Sequence, residues 1–146
     1  MKINPLLLGG VLLGAACQNR EQTQLNTLEK DVMMIHDAVM PKMGELTALE
    51  SILQKQIAHH DSLLKITPND SALKYLLEQS ISLSSQLKQA DEAMMDWMHR
   101  YRGDSLRKLP PPQAIQALTR EKIKIEQVSD DMLKSIEETQ NFLKQQ

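Results

Sequence analysis

A seven-residue repeat sustained over six heptads constrains this chain more than any other feature. Its a positions are Leu25, Val32, Val39, Leu46, Leu53 and His60; its d positions are Leu28, Ile35, Lys42, Leu49, Gln56 and Leu63. Nine of those twelve residues are apolar. Such spacing keeps one seam of a helix turned toward a partner helix, whereas a strand would alternate at every second residue. The repeat therefore predicts a long helix over residues 23–64 that cannot stand alone. Pro41 lies inside it. Proline has no N–H to donate, and its ring collides with the carbonyl four residues back, here that of Asp37, so a kink is expected. Gly44 loosens the same turn.

The pattern breaks at residues 65–70. Thr67 as N-cap, Pro68 at the first helical position and Asp70 two residues on suit a helix start. A second helix is expected from there to about Tyr101, with Leu73, Leu76, Leu83, Leu87, Ala90, Met94, Trp97 and Tyr101 along its seam. Gly103-Asp104-Ser105 ends it, and Pro110-Pro111-Pro112 leads stiffly into a third helix carrying Ile115, Leu118, Ile125, Val128, Met132, Ile136 and Leu143. Three long helices with short links predict an all-α fold, an antiparallel three-helix bundle or coiled coil with its first helix kinked near Pro41. A four-helix arrangement, divided at Pro41, is the alternative. Composition agrees: beyond residue 16 the only glycines are Gly44 and Gly103, and the common residues are good helix formers.

Ahead of the repeat, Lys2 precedes an apolar run, Leu6 to Leu13, followed by small Gly14, Ala15 and Ala16 and then Cys17, the only cysteine. A basic start, a short greasy segment and small residues before a cleavage point form a secretory signal. Twelve residues from Pro5 to Ala16 are too few for a spanning helix, which needs about 20. The stretch before Cys17 resembles the lipobox of bacterial lipoproteins, whose cysteine is acylated, although Gly14 stands where that motif usually has leucine. The resemblance implies a signal peptide over residues 1–16 and lipidation (palmitate among the acyl groups) at Cys17; the polar residues 17–22 then read as a tether, and the heptads as a bundle domain over 23–146. It also implies attachment to a membrane of the bacterial cell envelope, the outer membrane being favoured, with the domain in the periplasm or at the cell surface. A lone thiol in an exported chain calls for an explanation, and lipidation supplies one.

Loss of Lys2 with the signal leaves 16 basic residues against 19 acidic ones, without a run of either sign. That balance argues against nucleic-acid binding, which draws on clustered Lys and Arg. No nucleophile elbow, His-Glu-x-x-His pair or phosphate loop is present. A di-iron bundle needs two Glu-x-x-His motifs, and Asp96-Trp97-Met98-His99 is the nearest approach. No enzyme is expected.

The methionines form a second pattern. Of eight beyond the signal, seven fall within residues 33–43 and 94–98. If the turn near residue 66 joins antiparallel helices, positions summing to roughly 135 lie at equal height. Met40 is then level with Met95, and His36 with His99. His36 and Met43 occupy e positions of the first helix and Met98 an e position of the second. These flanks face each other in one hand of the bundle and diverge in the other. Thioether and imidazole suit Cu(I), so His36, Met40, Met43, Met95, Met98 and His99 are the candidate ligands of a metal site. Methionine also fills irregular cores and makes adaptable binding surfaces, and a protein partner in the envelope is the favoured reading. His59 and His60 are expected at a solvated rim.

Two segments, His36-Asp37-Ala38-Val39-Met40-Pro41-Lys42-Met43-Gly44-Glu45-Leu46 and Ala90-Asp91-Glu92-Ala93-Met94-Met95-Asp96-Trp97-Met98-His99-Arg100-Tyr101, resemble a group of small uncharacterised lipoproteins of Bacteroidota. That group is often labelled "viral A-type inclusion protein" for its heptads. The resemblance implies an address in the envelope and carries no activity with it.

Overall fold

A computed structural model describes the backbone from Leu12 to Gln146 and the side chains from Asn19 onward. The Cys17 side chain and most of the signal segment lie outside the described residues. The elements are α1 (Leu12–Val39), a 3-10 turn (Met40–Lys42), α2 (Met43–Leu64), α3 (Ser71–Arg100), the one-turn α4 (Gly103–Leu106) and α5 (Pro111–Lys144). Among the described residues there is no strand, and the protein is an all-α helical bundle. Residues 17–22, expected as a tether, are continuous with α1.

At Pro41, where a kink is expected, the α-helix is interrupted by one 3-10 turn, closed by the Met43 N–H donating to the Met40 carbonyl. Bonding three residues back instead of four accommodates the missing proline donor within a single turn. The heptad frame survives the interruption. All six a positions are buried, with Val39 and Leu46 on either side of the turn almost fully so.

The chain forms two compact units. The first comprises residues up to Met34 together with Tyr101–Ile123. Its core joins Leu25 to Ala114 and Leu118, with Leu28, Leu106 and Ile115 packed around them. Further along, the Lys122 ammonium donates to the Asp31 carboxylate at 2.7 Å, so α1 and α5 run parallel here. Arg107 bridges Glu29 and Asp104 at 3.3 and 2.7 Å. Gly103 sits under this group. A Cβ placed there would lie 3.0 Å from the Tyr101 hydroxyl and 3.3 Å from a Glu29 carboxylate oxygen. Burial raises the Tyr101 pKa above its ordinary value, and Glu29 adds to the rise while Arg107 opposes it. Pro111 and Pro112 open α5, where an N–H has no intrahelical acceptor and proline costs little. The Pro110 carbonyl accepts from the Gln113 and Ala114 N–H groups.

Ile35–Arg100 and Lys124–Gln146 form the second unit. Gln54 donates to the Ser84 hydroxyl at 2.7 Å, and His36 meets Trp97, so α3 runs antiparallel to the chain before it. Gln140 donates to Glu45 and Gln56 to Gln146, so α5 lies alongside α2 in the parallel sense. Leu46, Leu53, Leu87, Met94 and Met132 are fully buried. Each such side chain contributes about 1.5–3 kcal/mol of transfer free energy.

Two expectations are corrected in this unit. The N-cap of α3 is Asp70 and not Thr67: the Asp70 carboxylate accepts from the Leu73 N–H at 2.9 Å, while the Thr67 hydroxyl turns back to the Leu63 carbonyl. A carboxylate at the N-cap serves both the orphan N–H and the helix dipole, which a hydroxyl does less well. His60 is not at a solvated rim. It continues the a seam, is 8% exposed, and its Nδ1 has no hydrogen-bond partner among the described residues. His59, beside it, is exposed as expected.

Candidate functional site

The methionine and histidine belt lies near the 3-10 turn, on the last turn of α1, the first of α2 and the C-terminal end of α3. His36 and Trp97 fix its geometry. Their ring centroids are 5.5 Å apart and the planes are tilted by 32°. The numbers 36 and 97 sum close to the value that the height argument required, so the register read from the hairpin holds. Trp97 is a d residue, and His36 sits on the e flank of the first repeat. Ser84 is an e residue of α3 and meets Gln54, which is at b. Glu45, at g, reaches α5 instead. The hand of this unit therefore turns the e flank of the first repeat toward α3 and its g flank toward α5. His36 and Met43 accordingly share the flank that faces α3, where Met98 occupies an e position.

Chemical detail sharpens the two histidines. His36 is mostly buried, and its Nδ1 lies 2.9 Å from an Asp37 carboxylate oxygen. A proton on Nδ1 donated to that carboxylate leaves Nε2 as the acceptor nitrogen, the arrangement that orients an imidazole for a ligand. His99 is exposed, and its Nδ1 donates to the Met95 carbonyl at 2.6 Å, which again makes Nε2 the acceptor.

The thioethers divide by environment. Met94 is fully buried and belongs to the core. Met40, Met43 and Met98 are half-buried, and Met95 is 40% exposed. In the first unit Met33 and Met34 are exposed. Asp96 pairs with Arg100 at 2.8 Å and Glu92 with Lys88 at 3.7 Å, along exposed helix faces. Among the described residues no three His, Cys, Asp or Glu side chains are grouped so as to hold a metal ion. A metal here would need sulfur ligands alongside His36 or His99.

Trp97 is the residue that sequence reasoning underused. It lies on the seam of α3, two residues from His99, the position that equal rise sets level with His36. The role of Asp37 was equally hidden, because an adjacent carboxylate reads in sequence as a solvated face. No family model matches the chain, and neither do any curated protein or solved structure.

Proposed function

We propose that this protein is a lipid-anchored component of a bacterial envelope whose helical bundle works by binding other proteins. The observation that carries the reading is Cys17, the only cysteine, set directly after the apolar run Leu6–Leu13 and the small residues Gly14, Ala15 and Ala16. The resemblance to Bacteroidota lipoproteins supports the same address. No helix among the described residues is long and apolar enough to cross a membrane, so attachment on this reading runs through acyl chains. Two hydrocarbon chains give a stable anchor where one gives a reversible one. The binding surface is drawn from the second-unit methionines that remain accessible, Met95 chief among them, because flexible polarisable thioethers adapt to varied partners.

The test is Cys17→Ser in cells fed an alkyne-tagged fatty acid. Label and membrane association should both disappear in the variant while the wild type keeps them. Undiminished labelling of the variant would remove the anchor from the proposal.

A second reading, Cu(I) binding through His36, Met40, Met43, Met95, Met98 and His99, is favoured by one observation: the e flanks that carry His36 and Met43 turn toward α3. The Trp97 ring packed against His36 weighs on the other side, since it occupies space a ligand would need.

A further inference from the structure

The second unit has an open groove between α3 and α5. One stretch, of about 350 Å³, has Tyr75, Gln79 and Gln86 on the α3 side and Glu138, Asn141 and Phe142 on the α5 side. A second stretch, of about 490 Å³, begins at Gln86, shared by both, and continues to Ala93. From Tyr75 to Ala93 the helix rises about 27 Å at 1.5 Å per residue, so the groove suits a chain more than a single small ring.

Its lining is chemically selective. Tyr75 is 59% exposed, which leaves most of its ring available as a flat apolar surface. Phe142 is half-buried on the opposite wall. Between them stand primary amides, each of which offers a neutral donor and a neutral acceptor. Among the described residues Glu138 is the only charged side chain lining the Tyr75 stretch, with Lys134 3.9 Å from it. The second stretch adds Asp131 beside that Lys134, so the lining has no excess of positive charge to attract a strong anion. An amphipathic helix would bring an apolar stripe to an amide-rich wall and leave polar groups poorly matched. A ligand suited to these walls is uncharged, elongated, apolar on its flat faces and rich at its edges in groups that both donate and accept.

We propose that this groove binds a neutral oligosaccharide, its sugar faces against Tyr75 and Phe142 and its hydroxyls hydrogen-bonded to Gln79, Gln86 and Asn141. The proposal goes beyond the anchoring reading and stands without it.

The experiment is saturation-transfer NMR on the full chain in a sugar-free detergent, titrated separately with cellohexaose, maltohexaose and the neutral hexa-N-acetylchitohexaose. At least one hexaose should receive saturation. Tyr75→Ala and Asn141→Ala should each weaken its binding by about tenfold, equivalent to 1.4 kcal/mol. Both residues are exposed, so circular dichroism should report an intact helical fold in each variant. Ile52→Ala, exposed on α2 and absent from the groove, should bind as the wild type does. Saturation of none of the three sugars overturns the proposal, and so does binding that both groove variants retain in full. A photo-crosslinker at Gln86 that captures a helical protein partner, with no sugar bound, would overturn it in that partner's favour.

Discussion

Replacing His60 by leucine should stabilise the protein and remove part of its sensitivity to acid. His60 occupies an a position of the heptad, where the five preceding residues are Leu or Val, and it is 8% exposed. Its buried Nδ1 lacks a partner among the described residues, a defect that costs about 1–3 kcal/mol. Leucine carries no polar atom and suits the seam, so His60→Leu should gain about 1–3 kcal/mol near pH 7.5. Acid enlarges the difference. Burial, with a smaller push from His59, lowers the His60 pKa below its ordinary 6.5. Well above pH 6.5 the ring is neutral in both folded and unfolded chains and adds no slope. As the pH falls below 6.5 the unfolded chain takes up the proton first, so stability drops until the lowered folded value is reached. Only the wild type has this loss. Urea unfolding followed by circular dichroism near pH 7.5 and pH 5.5 measures both effects, since stability falls linearly with urea. Carboxylates titrate in both proteins, so the quantity to read is the gap between variant and wild type. A variant no more stable than wild type at the higher pH would refute the reasoning, as would a gap that fails to widen in acid.

Three further outcomes can be measured. Gly103→Ala must displace the Tyr101 ring, 3.0–3.2 Å from the new Cβ, and should cost about 1–3 kcal/mol. Gly44→Ala meets nothing within 4 Å on a right-handed helical backbone and should gain up to about 0.5–1 kcal/mol; thermal melts that shift in the same direction for both would sink the argument. In chelator competition the full chain should show no sub-micromolar Cu(I) affinity, and tight stoichiometric binding lost in Met40→Leu/Met98→Leu would establish the metal reading in its place.

How much of this was legible in the sequence depends on the range of the interaction involved. The heptad survived because burial acts on a whole face: Val32, Leu46 and Leu53 are inside whatever Pro41 does to the turn between them. The height of His36 was legible to within a turn: equal rise per residue sets it level with His99, and the ring it meets, Trp97, is two residues away. Short polar choices were not. Thr67 and Asp70 are both good caps, and the outcome rests on where the chain after Leu64 turns, which local preference leaves open. His60 was misread for the opposite reason. Its residue type suggested water while its register placed it in the seam, and register prevailed.

The hand of the bundle illustrates the deeper limit. Heptad positions alone allow the e flanks of His36, Met43 and Met98 to meet or to diverge, and the two arrangements bury nearly the same a and d residues. Flank contacts distinguish them: Gln54 with Ser84 on one side, and Glu45 with Gln140 on the other. These are single hydrogen bonds, each with a net value of about 0.5–1.5 kcal/mol, against a seam whose every leucine contributes more. The dominant energy thus leaves the hand degenerate, and small polar terms with the connecting turns select it. The same reasoning separates the two candidate surfaces. His36 and Met43 lie on the flank toward α3 only because the hand came out as it did, so their placement depends on those weak flank contacts. The α3–α5 groove is lined by residues that take part in neither flank contact, and Tyr75→Ala can test it without disturbing what sets the hand.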